Sequence, residues 1–199
     1  AFAKKYDIIV LHDNAYSELV FDGQSCGSFL SIPGAMEVGV EFNSLSKTYG
    51  LAGARIGFCV GNKEVVGMLK TLKSNMDYGM FLPIQAAAVE ALTGNQAVVA
   101  ETRAAYEHRR DVLCDGLIEA GWHMEKPAGT MFVWAPIPDS YQDSEAFVAD
   151  LLDKTGVLVT PGSAFGPSGE GYVRMALVQS EDTMKKIVEA VAVSGIFGK

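Results

Sequence analysis

Two serines, a lysine and an arginine are spaced closely enough to act on one small ligand. Ser44 and Ser46 precede Lys47, and Arg55 follows the lysine by eight residues. Hydroxyl groups and a forked guanidinium are groups that bind phosphate. A lysine amine held among hydroxyls and near a fixed cation can lose its proton and act as a nucleophile or base. The segment indicates a phosphate cradle around a reactive amine, although a lysine taken alone could be an exposed loop residue.

A carboxylate and a phenol lie further upstream. Asp13 and Tyr16 follow the apolar run Ile8–Leu11, which is typical of a buried strand. In open α/β sheets the ligand crevice lies beyond the carboxyl ends of the strands, so we expect Asp13 to reach a ligand there. Taken alone, Asp13 could also start a turn or cap a helix. Its neighbour His12 is expected to pack or to support the aspartate rather than to act on a substrate.

Together, the two segments resemble the pyridoxal-phosphate-dependent aminotransferases of class I/II, the fold-type-I enzymes related to aspartate aminotransferase. The resemblance rests on Asp13-x-x-Tyr16 and on a Ser-x-Ser-Lys-x7-Arg-x-Gly pattern that begins at Ser44. Three further segments are similar to the LL-diaminopimelate aminotransferase-like branch of that class. They are residues 72–85, 129–134 and 171–176.

The resemblance implies a role for each residue of these motifs. Lys47 would form a Schiff base with the cofactor and then move a proton on the substrate. Asp13 would pair with the pyridine nitrogen, and Tyr16 would hydrogen-bond the 3′ oxygen. Ser44, Ser46 and Arg55 would hold the phosphate.

Arg174 is the candidate for binding the substrate carboxylate. It lies in an otherwise apolar strand, where a lone cation is costly unless it is paired. A structural salt bridge is one interpretation of Arg174. The family position instead implies a two-point contact with an α-carboxylate, which suits arginine better than lysine. One family segment that approaches the neighbouring subunit is matched by Asn75, Asp77 and Tyr78. The alternative is that these three residues cap a loop. Trp134 is expected in the core.

The resemblance covers essentially all 199 residues but corresponds to the second half of a family member. The chain opens at Ala1 with lysines where a helix would end, so we expect it to begin inside a fold. Three features of the family are then expected upstream of Ala1. They are a glycine-containing loop that binds the phosphate, an aromatic ring stacked on the pyridine, and an asparagine near the 3′ oxygen. We therefore expect these 199 residues alone to bind the cofactor weakly, or not at all, and to have little activity.

Short apolar runs alternate with helical patterns, which predicts an α/β fold. The resemblance implies the C-terminal portion of a large cofactor-binding domain over 1–100 and a small α/β domain over 101–199. Strands are predicted at 8–11, 38–42, 56–60, 131–135, 157–160 and 172–176. Helices are predicted at 63–74, 83–92, 97–120, 144–155 and 180–194, with the charged residues of the third helix, Arg110 among them, facing away from the core.

Composition excludes several classes of protein. The formal net charge is −8, without a basic cluster, which argues against nucleic acid as a partner. The apolar runs are far shorter than the ~20 residues that span a bilayer, so no membrane association is expected. Three widely spaced cysteines indicate neither a disulfide framework nor a zinc site. No signal-peptide pattern opens the chain, and a cytoplasmic location is expected.

Three functions stay open at this point. The first is an aminotransferase, acting on an amino acid and a 2-oxo acid and assembled as a homodimer. The second is a β-lyase on the same scaffold, which would release ammonia without an acceptor. The third is a non-catalytic module for sensing or dimerisation, which the absence of a basic DNA-binding segment disfavours.

Overall fold

The computed structural model describes residues 1–198, and its helices and strands confirm the predicted α/β class. The helices are α1 (Phe2–Tyr6), α2 (Leu45–Thr48), α3 (Lys63–Met76), α4 (Leu82–Thr93), α5 (Ala97–Glu119), α6 (Ser144–Thr155) and α7 (Glu181–Val193). The strands are β1 (Val10–Asp13), β2 (Gly39–Ser44), β3 (Gly57–Gly61), β4 (Phe132–Pro136), β5 (Thr160–Pro161) and β6 (Tyr172–Ala176). Short 3₁₀ turns lie between several of them.

The chain divides into two compact units, and the division falls inside helix α5. The first unit is Ala1–Arg103, and the second begins at Ala104. Each unit contains its own three-stranded sheet. Within the described residues 1–198, no helix has the length and apolar character needed to cross a membrane.

The sheet of the first unit has the order β1-β2-β3. Strands β1 and β2 are parallel, whereas β2 and β3 are antiparallel. Register pairs Asp13 with Phe42 and Ser44 with Gly57. The carboxyl ends of β1 and β2 therefore lie at the same edge of the sheet, and β3 begins there.

Strand β1 differs from its prediction in position and in burial. It spans Val10–Asp13 instead of 8–11, because Asp7 adopts a left-handed conformation (φ 52°) that ends helix α1, and Ile8 still donates a backbone hydrogen bond to Ala3. The run was expected to be buried, but Leu11 is 65% exposed. Asp13 is consequently the last residue of the strand.

The sheet of the second unit has the order β4-β6-β5 and is antiparallel. Its inward side chains form one apolar cluster with residues from three helices. The cluster includes Leu117 from α5, Val133 from β4, Phe147 and Leu151 from α6, Val173 from β6 and Met184 from α7. Burial of these side chains is the main source of stability for this unit.

In the second unit, strand β5 spans only Thr160–Pro161 instead of 157–160. Two side-chain positions predicted there are also wrong. Arg110 was expected on the outer face of α5, but it is only 2% exposed, because its guanidinium donates to the Asp111 carboxylate and to the Pro127 carbonyl. Trp134 was expected in the core, but it is 39% exposed and stacks on Tyr172. Periodicity predicts the face of a helix or strand on which a residue lies. It does not show which polar groups from other parts of the chain contact that residue.

Candidate active site

Lys47 lies on the short helix α2, directly after strand β2. Ser44 ends the strand in extended conformation, and its Oγ accepts a hydrogen bond from the backbone N–H of Ser46 at 3.1 Å. This cap starts the helix. The two serines and the half-buried lysine are thereby brought together at the carboxyl end of β2.

The amine of Lys47 faces Tyr16. Its Nζ lies 5.9 Å from the centroid of the tyrosine ring. Over residues 1–198, no carboxylate forms an ion pair with this lysine. Segments that are about thirty residues apart in sequence thus place a phenol next to an unengaged amine. Because no carboxylate among the described residues holds it, this amine can reach a ligand bound at this edge of the sheet.

Asp13 reaches the same edge of the sheet from the neighbouring strand. It is the last residue of β1, exposed, and in register with Phe42 two positions before Ser44. Because β1 and β2 are parallel, their carboxyl ends open towards one crevice. The structure brings Asp13, Tyr16, Ser44, Ser46 and Lys47 to this edge.

Arg55 is positioned by the start of strand β3. It adopts a left-handed conformation (φ 54°), and its exposed side chain donates to the Ala52 carbonyl at 3.1 Å. Two residues later, Gly57 pairs with Ser44. A Cβ atom at Gly57 would lie 2.5 Å from the Asn43 carbonyl oxygen, so glycine is needed for this close pairing. The Arg-x-Gly pattern therefore places the arginine backbone beside the serine end of β2.

Within residues 1–198, no hydrogen bond or ring contact connects this edge of the sheet with Asn75, Asp77 or Tyr78. Asn75 Nδ2 donates to the Thr71 carbonyl, and Asp77 accepts from Lys73 and from the Gly79 backbone N–H. Tyr78 is fully exposed. These local contacts stabilise the end of α3 and the following loop, and a role towards a second subunit stays a prediction.

Arg174 lies on strand β6 in the second unit, where two aromatic rings hold its guanidinium. The carbon of that group lies 4.4 Å from the ring centroid of Phe132 and 4.7 Å from that of Phe165. Stacking of this kind stabilises a cation without neutralising it. No acidic side chain in the described part of the chain pairs with Arg174. Its half-buried guanidinium thus stays available for an anionic ligand.

The sequence prediction missed a buried carboxylate beside these residues. Glu41, on β2, is 5% exposed. Its Oε1 accepts from Asn14 Nδ2 and Asn43 Nδ2, each at 2.9 Å, and its Oε2 accepts from Ser28 Oγ at 2.5 Å. His12 Nδ1 lies 3.1 Å from Oε2. Burial alone would raise the pKa of Glu41, but these hydrogen bonds outweigh it and lower the pKa to about 2.

One signal in the sequence could have identified Glu41. It interrupts the apolar strand run with a charge, and a charge in such a run is costly unless hydrogen-bonded partners surround it. His12 is one of those partners, in register with Glu41 on the adjacent strand. Asn43 follows on the same strand, whereas Asn14 and Ser28 lie outside the strands, at positions that the sequence pattern does not predict.

The family comparison matches nearly the whole chain. The model for aminotransferase class I and II matches residues 1–191. The chain is 48% identical over 188 residues to an LL-diaminopimelate aminotransferase of Moorella thermoacetica, covering 94% of this chain and 48% of the relative. It is 46% identical over 193 residues to the glutamate-pyruvate aminotransferase AlaC of Escherichia coli, covering 96% and 47%.

Solved structures agree with the sequence comparison. Apo-BacF of Bacillus subtilis superposes with a TM-score of 0.92 at 36% identity, covering 100% of this chain and 51% of that one. A Thermus thermophilus aspartate aminotransferase mutant superposes with a TM-score of 0.85 at 29% identity, covering 96% and 50%. The chain spans about half the length of the relatives it matches. With its fold, its motifs and its sequence in agreement, the chain belongs to the class I and II aminotransferase family, whose members depend on pyridoxal phosphate.

Proposed function

We propose that this protein moves an amino group between an L-amino acid and a 2-oxo acid with pyridoxal 5′-phosphate as cofactor. The observation that carries the proposal is the unpaired amine of Lys47, 5.9 Å from the Tyr16 ring at an edge shared with Asp13. Family membership supports the same chemistry.

The residues at this edge fit the cofactor by the chemistry of their groups. The cofactor has an aldehyde, a phosphate and a basic ring nitrogen. Lys47 supplies an amine for the first, and Ser44, Ser46 and Arg55 supply hydroxyl and guanidinium donors for the second. Asp13 supplies a carboxylate for the third. When bound, the cofactor supplies an electron sink for the bond-breaking step at the substrate α carbon.

The chain's own groups would then hold and move protons. Lys47 Nζ would hold the cofactor covalently and afterwards carry the proton to and from the substrate α carbon. Asp13 would keep a proton on the ring nitrogen. The Tyr16 hydroxyl would donate a hydrogen bond to the ring oxygen. All three side chains come from the carboxyl ends of the parallel strands β1 and β2 or from the residues that follow.

Arg174 would bind the α-carboxylate of both substrates. Its planar guanidinium can donate two parallel N–H bonds to one carboxylate, which orients the substrate as well as holding it. Contacts with the rings of Phe132 and Phe165 restrict the movement of the guanidinium. This restriction lowers the entropy that is lost on binding.

Domain roles, assembly and location belong to the same proposal. Residues 1–100 would be part of the large cofactor-binding domain and 101–199 the small domain. The protein would assemble as a homodimer, because the family builds each active site from two subunits. A cytoplasmic location stays a prediction from the sequence.

Covalent trapping tests the role of Lys47. Pyridoxal phosphate is added to the protein, borohydride fixes it to the lysine that holds it, and peptide mass spectrometry locates the label. We expect the label on Lys47, lost in Lys47→Ala and retained in Lys70→Ala, which removes an exposed lysine of α3. A label spread over exposed lysines would contradict the proposal.

Turnover with and without an acceptor tests the reaction, measured on a protein of full family length that contains these residues. An amino acid converted only when a 2-oxo acid is present supports amino transfer. Release of pyruvate and ammonia without an acceptor would instead identify a β-lyase. A label on Lys47 without any turnover in that longer protein would favour a sensing or dimerisation module.

A further inference from the structure

Glu41 is the one acidic side chain that is buried among the described residues 1–198. No step of the proposed reaction uses it. Three side chains nevertheless donate hydrogen bonds to its two oxygens, and His12 Nδ1 lies 3.1 Å from Oε2. A buried charge costs free energy even when it is hydrogen-bonded, so its presence points to a role beyond packing.

One oxygen of Glu41 joins the ends of two strands. Oε1 accepts from Asn14, the residue after Asp13, and from Asn43, the residue before Ser44. The carboxylate is therefore bonded to the immediate neighbours of two candidate cofactor residues, one on each strand.

Glu41 itself does not face a ligand. It is in register with His12, and side chains alternate between the two faces of a strand, so His12 and Asp13 point to opposite faces. Glu41 lies with His12, on the face away from Asp13. Its influence on the cofactor must pass through the backbone of its neighbours, as befits a positioning residue.

We propose that Glu41 is a positioning residue for the cofactor site, whose carboxylate fixes the carboxyl ends of β1 and β2 so that Asp13 and Ser44 are held at a constant spacing. This inference rests on the proposed function. Spacing matters because the carboxylate and the serine would contact different ends of one rigid ring system, and small displacements of such groups weaken binding strongly.

Variants at Glu41 separate this role from general stabilisation. Glu41→Gln keeps the shape and one accepting oxygen, Glu41→Ala removes both oxygens, and Glu90→Gln alters an exposed glutamate of α4 as a control. Amide hydrogen exchange without cofactor is compared at Asn14 and Ser44, near the strand ends, and at Val40, near the start of β2. We expect Glu41→Ala to accelerate exchange at least tenfold at Asn14 and Ser44 but less than twofold at Val40, with Glu41→Gln intermediate.

Cofactor affinity is the second readout. The dissociation constant for pyridoxal phosphate is expected to rise at least tenfold in Glu41→Ala and less in Glu41→Gln, with Glu90→Gln unchanged. Should Glu41→Ala fail to fold, Glu41→Gln carries both measurements.

The two proposals fail in different ways. If a protein of full family length that contains these residues takes up no pyridoxal phosphate, the proposed function fails, while the exchange data still decide the role of Glu41. Equal acceleration at Asn14, Ser44 and Val40 would overturn the positioning role and leave general stabilisation. The positioning role would also be overturned if Glu41→Ala and the unaltered protein had the same dissociation constant for pyridoxal phosphate.

Discussion

A buried charge has to be stabilised by neighbouring polar groups, and Glu41 has several of them. Its carboxylate contacts the side chains of His12, Asn14, Ser28 and Asn43. Hydrogen bonds to a charged group contribute about 1.5–3 kcal/mol each when the group stays charged. Protonating the carboxyl weakens all of them at once, so the stability of the first unit depends on pH through this residue.

The stability conferred by Glu41 should disappear in acid. Because its pKa is lowered in the folded state to about 2, its contribution is complete above the ordinary glutamate value near 4.5 and is lost as pH falls towards 2. We expect Glu41→Gln to lower the free energy of unfolding by about 1–3 kcal/mol at pH 7. Urea denaturation at several pH values should show this difference shrinking below pH 4.5. A difference that stays constant down to pH 2.5, as we expect for Glu90→Gln, would contradict the assignment.

The cation at position 174 can be tested without removing its charge. Arg174→Lys keeps the charge but loses the two-point geometry and the guanidinium contacts with Phe132 and Phe165. We expect KM for the 2-oxo acid to rise about tenfold or more, equivalent to about 1.4 kcal/mol of binding free energy. Arg109→Lys, another partly buried arginine of the second unit, should leave KM unchanged. Equal KM values for Arg174→Lys and the unaltered protein would remove Arg174 from the substrate site.

At the level of single residues, the sequence predicts the positions of polar residues that directly follow apolar strands. The Ser-x-Ser-Lys segment and Asp13 are found at the carboxyl ends of parallel strands, as their position after apolar runs indicated. Phe132 and Phe165 around Arg174 could not be predicted, because one ring lies on β4 and the other follows β5. Contacts of this kind depend on tertiary packing, which spacing along the chain does not contain.

The connection between β5 and β6 is held by an unusually close approach of two backbones. Gly162 and Gly169 are both buried, at either end of this connection. A Cβ atom at Gly162 would overlap the carbonyl oxygen of Gly169 and lie 2.6 Å from that of Tyr172. Since backbone cannot move aside as a side chain can, only glycine fits, and the segment that leads to Arg174 depends on this contact.

Gly162→Ala should therefore be strongly destabilising. We expect a loss of more than about 3 kcal/mol in the free energy of unfolding, in the range of the largest single-residue effects. Gly27→Ala, at a position with open space around it, should change stability by less than about 0.5 kcal/mol. Thermal denaturation of both variants provides the measurement. A Gly162→Ala protein as stable as Gly27→Ala would show that the connection can rearrange.

Elements with clear periodicity are predicted well, and their ends less so. Helix α6 is observed at Ser144–Thr155, as predicted, because Asp143 caps its start and Gly156 ends it in a left-handed conformation (φ 71°). Strand β1 is displaced by two residues, because local hydrogen bonding at Asp7 and Ile8 outcompetes the apolar pattern. Cap and turn chemistry within a few residues is visible in a sequence, whereas competition between adjacent elements is decided by tertiary contacts.

On the scale of the whole molecule, the two units differ in how their apolar residues are buried. The second unit has one continuous cluster that joins three helices and the sheet. In the first unit, one face of α3 leaves Met68, Leu72 and Met76 more than half exposed. Hydrophobic stabilisation follows the area removed from water, so large-to-small substitutions should be most costly in the second unit.

Leu117 offers a direct test of that core. Its side chain, on the second-unit part of α5, is completely buried. Leu117→Ala should reduce the free energy of unfolding by about 2–5 kcal/mol, because it removes apolar contacts and leaves a cavity. Leu152→Ala, which truncates a 43% exposed side chain on α6, should cost less than about 1 kcal/mol. Calorimetric unfolding compares the two, and similar losses would argue against a tightly packed cluster.

Helix α5 contains both the division between the units and the buried arginine at position 110. A trypsin-like protease needs an extended substrate strand and must draw an arginine side chain into its own specificity pocket. The peptide bond after Arg110 meets neither requirement while α5 stays helical and the Arg110 guanidinium remains bonded to Asp111 and Pro127. Cleavage after Arg110 would thus report local unwinding of α5, and digestion kinetics at that one peptide bond would measure how often the helix opens.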